Sequence, residues 1–215
     1  MIDNYRHKGL RKQLVQIVAD KGITNGRVLE ALNLVPRHLF LDKAFEEQAY
    51  KDKALPILSG QTISQPYTVA YQTELLDPQP SDKILEIGTG SGYQAAVLSH
   101  LCKKIYSIER HQELYKHTAN LLNELGYTSV RTLYGDGYQG SPRFAPFDKI
   151  IVTAGATFVP PALLEQLKVG GYIVIPSGET EIKKMKRILK TGAETYEEQV
   201  FGEFKFVPFL QGVAD

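Results

Sequence analysis

At 215 residues the chain has the length of one compact domain, and its 43% apolar and 23% charged content is that of a soluble globular protein with a core. Lys and Arg number 25 against 24 Asp and Glu, and a net charge of +1 argues against the basic surface with which proteins hold many nucleic-acid phosphates. The single cysteine, Cys102, rules out an intrachain disulfide, and no apolar run approaches the ~18 residues of a membrane helix, so a cytoplasmic monomer is expected, without membrane or nucleic acid.

Up to about residue 50 the pattern is helical. Leu10, Leu14, Ile17 and Val18 form an apolar stripe that Gly22 stops, and Thr24 is placed to cap a second helix carrying Val28, Leu29 and Leu32 ahead of Pro36. Residues 51–65, KDKALPILSGQTISQ, read as loop, and 66–77 as helix. The rhythm then alternates: strand 83–87, helix 93–101, strand 104–109, helix 112–125 stopped by Gly126, strands 129–134 and 148–153, helix 161–167, strand 172–176. Cys102 follows Leu98 and Leu101 and reads as a buried, inert thiol. The end differs: KKMKRILK and TYEEQVFGEFKFVPF read as consecutive strands, with Lys183, Lys184, Lys186 and Arg187 on a wet face. The expected fold is α/β, a doubly wound, mostly parallel sheet flanked by helices, with an antiparallel C-terminal hairpin and an N-terminal helical segment. One domain is expected over 1–215: helical segment and loop to 77, a ligand-binding core over 78–176, and terminal strands over 177–215.

LEIGTGSGYQ (85–94) joins the first strand of the alternating part to its helix, where a parallel sheet binds ligands. A dinucleotide site reads G-x-G-x-x-G and seats a pyrophosphate. Here Gly88, Gly90 and Gly92 read G-x-G-x-G, with Glu86 two positions earlier, a pattern resembling motif I of class I S-adenosylmethionine-dependent methyltransferases. The acid suits a cofactor with a cationic ammonium and sulfonium and no phosphate. Glu109 ends the next strand, 19 positions after Gly90, where a carboxylate can accept both ribose hydroxyls. Asp136, between Gly135 and Gly137 after the third strand, can accept from the adenine amino group.

Val159-Pro160-Pro161-Ala162 lacks the polar and aromatic residues of an adenine-N6 methyltransferase loop, and Cys102 is not in the Pro-Cys loop of a cytosine-C5 enzyme. VPRHLF (35–40), ALPILSGQTISQPY (54–67), LEIGTGSGYQ, GDGYQG (135–140), FDKIIVTAGA (147–156) and FKFVPF (204–209) resemble, in order, the protein-L-isoaspartate O-methyltransferase family, over nearly the whole chain. The pattern departs at Leu58, where many bacterial members carry Gly. The resemblance implies a Rossmann-like methyltransferase fold, S-adenosylmethionine as cofactor, and methylation of the α-carboxylate of L-isoaspartyl residues in damaged proteins and peptides. The ester then closes to a succinimide without enzymatic help. Methylation of another carboxylate or small molecule on the same scaffold is the alternative, and a non-catalytic cofactor-binding protein is a third reading.

By that resemblance Ser64 is the catalytic position. Thr62, Ile63, Pro66, Glu86, Gly88, Thr89, Gly90, Gly92, Glu109, Arg110, Asp136, Gly137 and Thr153 are expected to hold the cofactor. Ala54, Ile57, Leu58, Gly60, Ser64, Gln65 and Val207 are expected to hold the substrate, and no metal is implied. A carboxylate nucleophile, ordinarily with a pKa of about 3.5 to 4, is ionised at pH 7 and needs no general base. The five histidines, His7, His38, His100, His111 and His117, therefore read as structural or exposed. Taken by itself, Ser64 ahead of Pro66 reads equally well as a helix cap.

Overall fold

The computed structural model describes residues 1–214. Helices α1 (Tyr5–Asp20) and α2 (Gly26–Leu34) come first, followed by two 3₁₀ turns. The two-residue arms β1 (Leu55–Pro56) and β2 (Thr62–Ile63) pair antiparallel and lead into α3 (Pro66–Leu76). The alternating part is β3 (Lys83–Ile87), α4 (Tyr93–Ser99), β4 (Lys104–Glu109), α5 (Gln112–Glu124), β5 (Val130–Tyr134), β6 (Phe147–Val152), α6 (Pro161–Glu165) and β7 (Leu167–Ser177). Strands β8 (Ile182–Lys190) and β9 (Tyr196–Lys205) complete a seven-stranded sheet in the order β5-β4-β3-β6-β7-β8-β9. Strands β3 to β7 pair parallel, while β7-β8-β9 is antiparallel, so the expected architecture and terminal hairpin are both present.

Buried side chains explain these elements. Strand β3 is buried on both faces because helices cover both: Ile84 clusters with Leu76 of α3 and Leu98 of α4 on one side, and Leu85 with Phe147, Ile173 and Leu163 of α6 on the other. The N-terminal helices add their own layer, in which Leu14, Val18, Val28 and Leu32 pack against Val69 and Tyr93.

Several local expectations are corrected. Ile17 is 44% exposed, because the face that meets α2 runs through Leu14 and Val18 and leaves it at the edge. Asn25, not Thr24, caps α2, its side chain accepting from Arg27 and Val28 N–H, while the backbone N–H of Thr24 is taken by Glu74 of α3 at 2.8 Å. Strand β7 begins at Leu167, five residues early, because Phe147 pairs with Leu167 across a slip in register; helix α6 is shortened accordingly. Of the four basic residues expected on the wet face of β8, Lys183, Lys184, Lys186 and Arg187, only Lys184 is exposed. Lys183 is buried beside Met185 on the core side and donates to the Gly178 carbonyl at 2.6 Å. Cys102 is buried as expected, and burial pushes its thiol up to about 12.

The N-terminal layer also encloses charge. His7 and His38 are buried and stack at 3.8 Å, beside Asp3. Although a metal can use such groups, most of these donor atoms already have partners within the chain. Both oxygens of Asp3 accept from Arg11 at 3.0 Å, and the His7 nitrogens lie 3.1 Å from the Ile2 carbonyl and 3.0 Å from Glu46. His38 Nδ1 meets the Tyr50 hydroxyl at 2.6 Å, and its Nε2 has no partner among the described residues. Burial, reinforced by His7 and Arg11 and opposed by Asp3 and Glu46, pushes the His38 pKa down to about 4. Because unfolding restores an ordinary histidine near 6.5, the stability from neutral His38 is complete above that pH. It falls by up to about 1.4 kcal/mol per pH unit toward pH 4. Denaturant unfolding from pH 7 to 4.5 is expected to show this slope in the wild type and a flatter one in His38→Gln.

Candidate active site

Gly88, Arg110 and Thr153, immediately beyond the carboxyl ends of β3, β4 and β6, line a common cleft, joined by Gly137 from the loop after β5. Gly88, Gly90 and Gly92 take φ of +96°, +52° and +86°, turning the chain from β3 into α4. A Cβ on Gly88 would stand 2.5 Å from Thr153 Oγ1, which donates to the Gly88 carbonyl at 2.8 Å, so the end of β6 closes directly on this turn. Gly90 is held from both sides: its N–H donates to Glu109 at 2.9 Å, and its carbonyl accepts from Thr118 of α5 at 2.6 Å. Glu109 also accepts from the N–H groups of Arg110 (2.9 Å) and His111 (3.0 Å), so its carboxylate is fixed by three backbone donors at the cleft wall.

The other acid of the motif is placed differently. Glu86 is fully buried in β3 behind the cleft, which it does not line. Ser107 of β4 donates to one of its oxygens and meets Thr89 at 2.7 Å, and Thr89 reaches the cleft. The second oxygen of Glu86 has no hydrogen-bond partner among the described residues. Burial, aided by the charge of Glu109 and opposed by the Ser107 bond, pushes its pKa up to about 8. Glu86 thus connects to the cleft only through Ser107 and Thr89.

Asp136 turns inward to accept from the Tyr138 N–H at 2.9 Å and cap a short 3₁₀ turn, leaving Gly137 at the cleft. A Cβ on Gly137 would lie 2.5 Å from Ile87 and 2.9 Å from Phe209. Phe209 belongs to the tail after β9, which the sequence reading did not assign to the cofactor side. Val207 and Phe209 pair with Gly155, Phe209 packs 4.2 Å from Tyr138, and Ala214 bonds to the backbone of Arg110 and Gln112. The Arg110 guanidinium follows, donating to the Gly212 carbonyl at 3.1 Å. The tail thereby builds one wall, with Pro208, Phe209 and Leu210 lining the cleft, and His111 lines it too. The apolar PFL after a strand was the one signal for this.

The remaining wall comes from the 54–65 hairpin. The Ile57 N–H donates to Gln61 at 2.9 Å, and the left-handed residues of the turn are Ser59 (φ 55°) and Gly60 (φ 65°). Leu58 is not among the positive-φ positions, so a side chain there costs the loop no backbone strain. Ser64 does not cap α3. The N-cap position is Gln65, and the orphan Tyr67 N–H is taken by Asp52 at 2.8 Å. Asp52 also accepts from the Gln65 amide at 2.9 Å and pairs with Lys21 at 2.5 Å. The Ser64 hydroxyl makes no hydrogen bond among the described residues.

A second, more open groove adjoins the cleft. Thr62, Ser64, Thr153 and Val207 line both. The cleft further collects Ile63, Gly88, Thr89, Gly90, Glu109, Arg110 and Gly137, and the groove collects Ala54 and Gln65. Pro66, Gly92 and Asp136 support these walls without lining them, as do Ile57, Leu58 and Gly60 in the hairpin.

A parallel sheet with a G-x-G-x-G turn after β3 and a carboxylate ending β4 is the arrangement of a class I S-adenosylmethionine-dependent methyltransferase, and the family match below places the chain in that class. The glycines read G-x-G-x-G rather than the G-x-G-x-x-G of a dinucleotide site, and Glu86 and Glu109 bring two acids close to the turn. The chain belongs to the protein-L-isoaspartate(D-aspartate) O-methyltransferase (PCMT) family, whose model matches residues 9–214. It is 56% identical over 211 residues to the protein-L-isoaspartate O-methyltransferase of Christiangramia forsetii, covering 98% of this chain and 99% of that one. It is 54% identical to that of Flavobacterium psychrophilum, with the same coverage. A solved protein-L-isoaspartate O-methyltransferase superposes with a TM-score of 0.84 at 28% identity, covering 92% of this chain and 65% of that one. The Plasmodium falciparum structure of a putative family member, in complex with S-adenosyl-L-homocysteine, shares the fold, with a TM-score of 0.81 at 21% identity over 93% of this chain and 98% of that one.

The buried Glu86 has a measurable consequence. Between pH 4.5 and 8 the folded state keeps a proton that the unfolded chain releases, so this group's contribution is complete below 4.5 and is lost as pH rises toward 8. Glu86→Gln keeps the shape and removes the titration. Its stability relative to wild type, from denaturant unfolding at pH 5 and pH 8, is expected to improve with pH by up to about 1.4 kcal/mol per unit.

Proposed function

We propose that the chain transfers the methyl group of S-adenosylmethionine to the α-carboxylate of L-isoaspartyl residues in damaged proteins and peptides, with the cofactor in the cleft and the acceptor entering by the groove. The observation that carries this arrangement is the wall common to both, formed by Thr62, Ser64, Thr153 and Val207. The bound cofactor supplies a methyl group on a cationic sulfur. The chain's own contribution is placement. Ser64 donates its hydroxyl to the acceptor carboxylate, which the positive end of α3 also favours, and holds one oxygen toward the cleft. Ala54, Gln65 and Val207 border the acceptor, the Val207 carbonyl being tied to the Gly155 N–H at 2.8 Å. Thr62, Ile63, Thr89, Gly90, Arg110 and Gly137 border the cofactor, and Glu109 accepts its ribose hydroxyls.

No proton has to be removed from an acceptor already ionised at pH 7, so the reaction requires no general base. The same proposal assigns the work to one domain: residues 1–77 supply the acceptor side, 78–176 the cofactor side, and the terminal strands the closing wall. It also includes action as a monomer, because both recesses are built from one chain. Residence in the cytoplasm is part of it as well, where a free thiol such as Cys102 stays reduced.

Incubation with labelled S-adenosylmethionine and an isoaspartyl peptide, beside its aspartyl twin, is expected to label the first only; equal or absent labelling of the two overturns the proposal. Ser64→Ala is expected to lower kcat/KM on the isoaspartyl peptide by about 10²-fold, the scale of one lost donor to a reacting oxyanion. Its unfolding free energy should stay within about 0.5 kcal/mol of wild type, since the hydroxyl holds nothing else in place.

A further inference from the structure

The groove beyond Ser64 has an aromatic floor that binding of a carboxylate does not require. Tyr67, Phe204 and Phe206 line it, each only half-buried. Tyr67 and Phe204 lie nearly parallel, at 6.5 Å and 22°, and Phe206 follows 6.4 Å from Phe204. Tyr71 supports both Tyr67 and Phe204 from behind, at 5.7 and 5.1 Å. The rings come from two distant parts of the chain, the first turn of α3 and the end of the outermost strand β9. Tyr67 is fixed by its N–H bond to Asp52. The lysines of the groove are already paired, Lys21 with Asp52 at 2.5 Å and Lys205 with Glu181 at 3.0 Å, so they do not impose an acidic ligand on this floor.

We infer that this floor is a subsite for a residue flanking the isoaspartate, and that it takes an apolar or aromatic side chain. The inference rests on the acceptor reading above, and the floor is continuous with the acceptor position because one groove holds Ser64, Val207 and the three rings. A polypeptide whose carboxylate is held at Ser64 advances about 3.3–3.6 Å per residue when extended. A neighbouring side chain is thus laid along the groove, where burying its apolar surface against rings favours association. Tyr67, three positions past Ser64 on the same helix start, ties the geometry of the floor to that of the acceptor seat.

The test uses isoaspartyl peptides identical except for Phe, Leu or Ser at the residue before or after the isoaspartate. The wild type is expected to favour Phe or Leu over Ser by about tenfold in kcat/KM on one side, expressed in KM. Tyr67→Ala and Phe204→Ala are each expected to reduce that preference to twofold or less. S-adenosylhomocysteine affinity by calorimetry should remain at the wild-type value, reporting an intact fold and cofactor cleft. A wild-type preference near one, or a tenfold preference surviving in both variants, overturns the subsite while leaving the acceptor reading in place. Failure of the wild type to methylate every isoaspartyl peptide instead overturns the acceptor reading itself.

Discussion

The site exists because the chain leaves β3 toward opposite sides of the sheet. Strand β3 pairs with β4 on one flank and β6 on the other, so the connections above it diverge and open a crevice at the carboxyl ends of the strands. Gly88, Glu109, Gly137 and Thr153 stand just past, or at, the ends of four neighbouring strands and face one space for that reason alone. Their separation of more than sixty positions in sequence becomes hydrogen-bond distance, as in the bond from Thr153 to the Gly88 carbonyl.

The hairpin and the start of α3 add a second recess beside this cleft. A helix beginning with Pro66 has orphan N–H groups, and Ser64 is placed by sequence to satisfy one. Asp52 does so instead, from thirteen to fifteen residues upstream, while anchoring Gln65 and Lys21. The cap of α3 thereby falls to Asp52 and leaves the Ser64 hydroxyl without a partner among the described residues. The loop carrying Asp52 is itself held by Arg37, a fully buried guanidinium that donates to the Lys53 carbonyl at 3.2 Å and lies 4.9 Å from the Tyr93 ring. Burial lowers that guanidinium to about 10, which still leaves it charged at neutral pH. The 3₁₀ turn after α2 is thus coupled to the loop carrying Asp52 through a buried polar group.

Glu86 and Glu109 show how one residue type divides by environment. Both are nearly inaccessible, yet Glu109 accepts from three backbone N–H groups, whereas Glu86 has a single hydroxyl for two oxygens. The first is held by the backbone at the cleft wall, and the second is an acid biased toward its neutral form beneath the glycine turn.

The order of helices and strands, the glycine turn, the acid at the end of β4 and the GQTISQP string were all legible in the sequence, because periodicity, turn chemistry and short motifs are local properties. Helix boundaries were less so: Thr24 and Asn25 are both good caps, and in the fold Asn25 takes the role while Glu74 of α3 accepts from the N–H groups of both. The tail wall, the buried face of Lys183, the distant cap from Asp52 and the aromatic floor belong to tertiary structure. Each depends on which segments pack together across tens to hundreds of residues, and no local pattern encodes that. Sequence alone determined the chemistry available to this protein; packing decided that the Ser64 hydroxyl, freed by Asp52, stands where two recesses meet.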